Sequence, residues 1–362
     1  MSAEKKVPEI RFKGFSEDWR EVTLSSVIDV RSGKDYKHLG KGNIPVYGTG
    51  GYMLSVNSAL SNDEDAIGVG RKGTIDKPYI LRAPFWTVDT LFYAVPSSSF
   101  KLDFLFCLFQ KIDWKKHDES TGVPSLSKVA INNIPVYVTN DKEQTAIGNT
   151  FQKLDSLISQ HQQKHDQLSN IKKAMLEKIF PKQGETTPEI RFKGFSGDWE
   201  EKELREICTY HSSSLTVNDA ATNGVYPLYD ANKCIGYTDK NIQDTDYITI
   251  IKDGSGVGRI RVLPKNSSFI ATMGAMKIEK SDLHFLYCCL LRIDFSKHIS
   301  GATIPHVYFR DYGSENCRVP IFEEQTAIGN YFQKLDTLIS KHQNQITKLN
   351  NIKQACLSKM FV

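Results

Sequence analysis

The sequence predicts an α+β fold: two pseudo-symmetric mixed α/β domains separated by an antiparallel coiled coil of two long helices. Three observations carry that expectation. The chain has 362 residues, too many for one ordinary core and suited to two or three domains. It is written twice, with matching blocks about 181 residues apart, and a period this long marks a duplicated domain rather than a solenoid. Each copy ends in a run whose seam residues follow strict 4-3 spacing, as a coiled-coil helix requires.

Three blocks define the repeat. PEIRFKGFSEDW at 8–19 returns as PEIRFKGFSGDW at 188–199, and EQTAIGNTFQKLDSLISQHQ at 143–162 returns as EQTAIGNYFQKLDTLISKHQ at 324–343. NIKKAMLEKIF at 170–180 returns as NIKQACLSKMF at 351–361. Between the blocks, apolar and turn positions hold while polar ones change. Arg71-Lys72-Gly73-Thr74 falls on Lys252-Asp253-Gly254-Ser255, and Pro124 falls on Pro305. One scaffold carrying two different surfaces is the reading this pattern supports.

In residues 1–140, the first domain, short β-like runs (IPVYG, DAIGVG, KPYILR, DTLFYAV) are separated by Gly, Pro, Asn and Ser, with a helix expected at Leu102–Lys111. Residues 141–182 form the first long helix, with Asn140 and Glu143 as a capping box and Pro181 as its end. Its seam reads Ile147, Phe151, Leu154, Ile158, His161, His165, Leu168, Lys172, Met175 and Ile179. The second domain, 183–323, repeats the pattern with YITIIKD, GRIRVLP and a helix at Leu283–Arg292. The second long helix, 324–362, has the seam Ile328, Phe332, Leu335, Ile339, His342, Ile346, Leu349, Lys353, Cys356 and Met360. Leu157, Ile171 and Leu176 lie beside the first seam and widen its apolar stripe, which gives a further partner helix a place to pack. His161 and His342, at equivalent positions near the helix midpoints, are expected to lie near each other across the pseudo-two-fold and to fix register.

Composition excludes more than it identifies. There are 46 basic and 42 acidic side chains, 40% hydrophobic residues and a mean hydropathy of −0.37, values of a globular protein and not of a disordered one. No stretch reaches the roughly 18 uninterrupted apolar residues of a membrane helix, and no apolar run follows the first lysines as in a secretory signal. No membrane partner and a cytoplasmic location are expected. The seven cysteines contain no CxxC and read as reduced, mostly buried thiols. Net charge hardly announces nucleic acid, so such a partner must be argued from charge placement.

Enzymatic signatures fail in turn. Ser32-Gly33-Lys34 lacks the rest of a P-loop, and Gly254-Ser255-Gly256-Val257-Gly258 has the wrong spacing for a dinucleotide fold. Asn43-Ile44-Pro45-Val46-Tyr47 and Asn133-Ile134-Pro135-Val136-Tyr137 lack the paired prolines of an amino-methyltransferase motif and read as edge strands. No metal-spaced set of carboxylates or histidines is present, and His117 and His298 read as flanking a helix. Neither catalysis, a metal nor a cofactor is expected of this chain alone. The Gly-flanked basic turns say more. Arg71, Lys72 and Thr74 sit on a tight turn whose backbone can approach a phosphate; Lys252, Asp253 and Ser255, followed by Arg259 and Arg261, keep the turn and change the chemistry. Arginine can bridge guanine O6 and N7, and aspartate can accept from cytosine N4. A polar hairpin turn using glycine only for its backbone is the competing reading. Arg31, Lys34 and Tyr36 form a second cluster, with no basic equivalent in His211-Ser212-Ser213-Ser214. Ser125, Ser127 and Lys128 form a third, set against His306 and Tyr308.

Trp19-Arg20-Glu21-Val22-Thr23-Leu24 with Arg31-Ser32-Gly33-Lys34, the turn Ile67-Gly68-Val69-Gly70-Arg71-Lys72-Gly73, and Glu143-Gln144-Thr145-Ala146-Ile147 together resemble the specificity subunit of a type I restriction–modification enzyme. The resemblance spans both copies. It implies two target-recognition domains, each reading one half of a bipartite site on double-stranded DNA, and two helices that space them and dock DNA methyltransferase subunits. It places S-adenosylmethionine, ATP and Mg2+ in partner subunits, the methyltransferase and, where present, a motor–nuclease. The second copy departs from the pattern at His211–Ser214. Geometry alone reaches a similar place: a helix of about 38 residues spans on the order of 57 Å, enough to address half-sites separated along a duplex that repeats about every 34 Å. The alternative is a non-catalytic coiled-coil adaptor with two ligand-binding globular ends, which a salt-dependent, sequence-selective duplex interaction excludes.

Overall fold

The structure is a computed structural model in which residues 7–240 and 243–362 are described. It divides into two compact units, Met1–Gln162 with Gln343–Val362 and Gln163–His342. The division runs through the long helices, so each unit holds the first part of one and the last part of the other.

In the first unit the chain forms β1 (Arg20–Thr23), β2 (Ile28–Ser32), β3 (Lys41–Gly48), β4 (Gly51–Val56), β5 (Ala66–Gly70), β6 (Tyr79–Leu81), β7 (Trp86–Thr87) and β8 (Leu91–Pro96). Then come α1 (Leu102–Lys111), α2 (Lys128–Asn132), β9 (Pro135–Val138) and the start of α3 (Asp141–Lys178). The sheets run β2-β8-β5-β6, β4-β3-β7 and β1-β9. Strand β5, AIGVG, is buried along its whole length, which is why it reads as an unbroken apolar run instead of an alternating one.

The second unit repeats this strand for strand, with β10 (Glu200–Glu203), α4 (Leu204–Ile207), β11 (Cys208–Ser212), β12 (Tyr226–Tyr229), β13 (Cys234–Thr238), β14 (Tyr247–Ile251), β15 (Ile260–Leu263), β16 (Ser268–Phe269) and β17 (Met273–Ile278). It continues through α5 (Leu283–Leu291), α6 (Phe309–Tyr312), β18 (Asn316–Val319) and the start of α7 (Phe322–Lys359). Its sheets run β11-β17-β14-β15, β13-β12-β16 and β10-β18. Topology is preserved where sequence identity has gone.

One expectation is corrected. The segment 43–47 is not an edge strand, because β3 is the middle strand of its sheet. Proline is tolerated there because β7 pairs only with Val46 and Tyr47, so no ladder bond on that side requires the N–H that Pro45 lacks.

The three repeated blocks meet at one junction in each unit. In the first, Arg11 grips Glu143 with two charge-assisted bonds of 2.6 and 2.7 Å, and Thr139 donates to the same buried carboxylate. Ile10 N–H bonds the Lys359 carbonyl at the end of α7 (2.9 Å). In the second, Arg191 grips Glu324 at 2.8 and 2.7 Å, and Ile190 N–H bonds the Lys178 carbonyl at the end of α3 (2.9 Å). Above each junction sits an aromatic triad. Trp19, Phe104 and Phe361 have ring centroids 5.8 Å apart; Trp199, Phe285 and Phe180 repeat them at 5.5–5.8 Å. Both units therefore require the same helix end, which is why NIKKAMLEKIF and NIKQACLSKMF stayed alike. The capping box is half formed: Asn140 accepts from Glu143 N–H at 3.0 Å, while the Glu143 carboxylate serves Arg11.

Within each unit the two helix segments run antiparallel. In the first, Phe151 faces Phe361 and Asp155 pairs with Lys353 at 2.7 Å. In the second, Phe332 faces Phe180 and Asp336 pairs with Lys172 at 2.6 Å. In both, one helix advances as the other retreats. Every seam position is buried or half-buried, whereas Leu157, Ile171, Leu338 and Ile352 are exposed. His161 and His342 are half-buried, one in each unit.

Candidate nucleic-acid interface

Three stretches singled out from the sequence share one rim of the first unit. The backbone of β2 leads into Gly33 and Lys34, whose N–H groups bond the carbonyls of Leu91 and Thr87 at 3.1 and 2.9 Å. Arg71 and Lys72 N–H both bond the Thr90 carbonyl (2.8 and 3.3 Å), Gly73 N–H bonds Pro124, and Leu126 N–H bonds Arg71. Lys72 and Ser125 form an isolated antiparallel bridge. Residues 31–34, 70–74 and 124–128 are thus laced together through 87–91.

The second unit builds the same frame. Lys252 and Asp253 N–H bond Thr272, Gly254 N–H bonds Pro305, and Val307 N–H bonds Lys252, with Asp253 bridged to His306. Gly73 and Gly254 both have positive φ, 90° and 85°, a conformation that favours glycine. On this shared backbone the side chains at Lys72/Asp253 and Ser125/His306 differ in kind. Arg71 and Lys72 are exposed, the Arg71 guanidinium lying over Phe92 at 5.8 Å. Asp253 instead pairs with Lys252 and with His306, the latter at 2.7 Å. Burial pushes the Asp253 carboxyl upward, but Lys252 and His306 outweigh it and hold the pKa below the ordinary value. One rim presents two exposed cations, Arg71 also donating to the Asp89 carbonyl at 3.4 Å; the other presents a compensated Lys–Asp–His cluster.

Several candidates have other partners. Arg31 is held by Asp29 and Glu64 at 2.6 Å each, bonds that raise its pKa further. Tyr36 packs half-buried on the Val46–Trp86 cluster. Ser127 caps α2, accepting from Ala130 N–H at 3.0 Å; Lys128 opens that helix half-buried, and Thr74 is half-buried too, whereas Lys34 and Ser255 are exposed. Arg259 bonds Ala231 O and Asn232 Oδ1, and Arg261 bonds the carbonyls of Asn232 and Asp230, so both tether the β12–β13 hairpin. Sequence reading missed Arg310, whose exposed guanidinium lies 4.8 Å over the Tyr308 ring, itself stacked on His306. The only signal in the sequence was a base two residues after Tyr308.

Among the described residues no three His, Cys, Asp or Glu side chains gather as around a metal ion, and no helix is long and apolar enough to cross a membrane.

The sequence model of the type I restriction modification DNA specificity domain matches residues 16–170 and 196–351, one match in each copy. The chain belongs to that family. Among specificity-family proteins it is similar to the type I restriction enzyme MjaVIII specificity subunit of Methanocaldococcus jannaschii, with 24% identity over 65% of this chain, and it spans 63% of that relative's length. The EcoDI specificity subunit of Escherichia coli is 23% identical, over 95% of this chain and 88% of its own. The crystal structure of the S subunit of a type I restriction–modification system from M. genitalium has the same fold, with a TM-score of 0.74 and 18% identity, covering 98% of this chain and 99% of that one.

Proposed function

We propose that this specificity-family chain reads double-stranded DNA, each unit reading one half of a bipartite site, and that it directs a type I methyltransferase to that site without catalysing anything itself. The observation that carries the reading is the shared backbone frame with exchanged side chains: Arg71, Lys72 and Ser125 in one unit, Lys252, Asp253 and His306 in the other. A scaffold held constant while the polar residues on its turns are replaced is what two different base sequences demand. The helices act as the ruler between half-sites, with His161 and His342 as polar seam residues that fix register. The exposed residues Leu157, Ile171, Leu338 and Ile352 are assigned to methyltransferase docking. S-adenosylmethionine belongs to that partner, and ATP and Mg2+ to a motor–nuclease partner; the setting is the cytoplasm.

Mapping methylated adenines in cells with and without the chain tests the reading: one bipartite motif should disappear with it. Purified with its partner, the chain should bind that duplex with a steep salt dependence. Replacing Arg71 and Lys72 by Ala should weaken binding. If Arg71 reads a guanine, discrimination at one base falls by roughly 1–3 kcal/mol; if it touches only phosphate, affinity drops evenly and the salt slope becomes shallower. Unchanged affinity and specificity would remove this turn from the interface.

A further inference from the structure

Beside each reading turn stands an exposed aliphatic side chain. Val123 is 66% exposed and Ile304 55% exposed. They occupy the same frame position, directly before Pro124 and Pro305, whose carbonyls accept from Gly73 and Gly254 N–H (2.9 Å each). A single exposed aliphatic residue carries no message. Here the surrounding loop has changed entirely, from Ser120-Thr121-Gly122 to Gly301-Ala302-Thr303, and a β-branched aliphatic has been kept at the tip.

The loops share one backbone anchor and differ in the other. In the first unit the Asp118 carboxylate accepts from Ser120 and Ser125 N–H at 3.0 and 2.9 Å, and those amides lower its pKa. In the second, Ser300 and His306 exchange two backbone bonds of 2.9 and 2.7 Å, and Gly301 makes the bend at φ 92°. One shared backbone bond (Glu119 N–H to the Ser125 carbonyl at 3.1 Å, the counterpart of Ser300 N–H to His306) and differing second bonds therefore present an apolar tip next to a polar turn in both units.

We propose that Val123 and Ile304 are specificity-determining base contacts, each lying against the 5-methyl group of a thymine in the half-site read by its own unit. The inference rests on the DNA reading above. In the major groove the one apolar feature on a base edge is that methyl group, and aliphatic side chains contact it. A polar turn that reads hydrogen-bonding atoms and an adjacent aliphatic tip that reads a methyl group together distinguish more bases than either alone.

The test uses the full chain with its methyltransferase partner and duplexes in which each thymine of the methylated motif is replaced in turn by deoxyuridine. One thymine per half-site should lose about fourfold in affinity, the effect of one buried methyl group. Val123→Ala should remove the thymine–uracil difference in one half-site and leave it in the other; Ile304→Ala should do the reverse. Both positions are exposed, so folding is little disturbed. A half-site without thymine, a wild-type protein indifferent to uracil throughout, or variants that keep the full difference would each overturn the proposal. A wild-type protein with no sequence-selective binding would instead bring down the DNA reading itself.

Discussion

Glu143 and Glu324 are carboxylates almost without access to water, and each survives because an arginine supplies two bonds. Replacing either by Gln leaves Arg11 or Arg191 a partly buried, uncompensated cation. The expected loss is about 3 kcal/mol, read as a lower urea midpoint for the affected unit. The neighbouring glycines make a finer prediction. A Cβ on Gly148 would lie 3.1 Å from Asp103 Cβ and 3.3 Å from Phe104 N, but on Gly329 it would lie 2.2 Å from Asp282 Oδ1. That oxygen caps α5, accepting from His284 and Phe285 N–H. Alanine gains about 1 kcal/mol of helix propensity at either site. Gly148→Ala should therefore be close to neutral. Gly329→Ala should be net destabilising by about 1 kcal/mol, because it also disturbs a cap. Equal effects in thermal unfolding would refute this account of the difference. From the sequence both glycines read only as part of a repeated block; the crowding around them, severe at Gly329, comes from residues far away in the chain.

The long helices were legible from periodicity, and each residue of the expected seams is buried or half-buried. The lysines within the seams were not explained by it. Lys172 and Lys353 are seam members because each reaches an aspartate on the opposing segment, and the two pairs are related by the repeat. Lys353→Met should cost on the order of 1–2 kcal/mol, between the values for exposed and buried pairs. The exchange of Asp155→Lys with Lys353→Asp should recover most of that loss; no recovery would mean the pair does not set register. On the outer face, Leu157→Asp with Ile352→Asp should leave the circular dichroism spectrum unchanged and abolish co-purification of the methyltransferase. Normal co-purification would assign docking elsewhere.

The duplication makes one half of the protein a control for the other. Grafting the second rim onto the first unit (Arg71→Lys, Lys72→Asp, Thr74→Ser and Ser125→His) should change the bases methylated in one half-site and spare the other. A variant with the original motif intact would show that bases are read elsewhere in the unit. Inserting seven residues after Gln163 and after Asn344 keeps the heptad phase and adds roughly 10 Å per helix, about three base pairs at ~3.4 Å each. Methylation of the original motif should weaken, and any recovered activity should fall on a motif with a longer gap, since helical DNA also rotates the half-sites. Full activity at the original spacing would show that the helices are not the ruler.

The duplication, the long helices, their seams and the glycine-framed turns could all be read from the sequence, because each depends on local spacing. What depended on the folded chain was which distant residues complete each other. Phe361, just past the end of α7, closes the aromatic triad of Trp19 and Phe104, and Arg11 finds Glu143 across most of a domain; no local pattern encodes such pairings. The rim divided along the same line. Arg71, Lys72, Lys252 and Asp253 were visible as turn residues, whereas Arg259 and Arg261 looked identical in kind yet donate to a hairpin. A charge in a sequence has no partner until packing brings one within about 3 Å, and that distance separates a side chain open to a ligand from one already engaged.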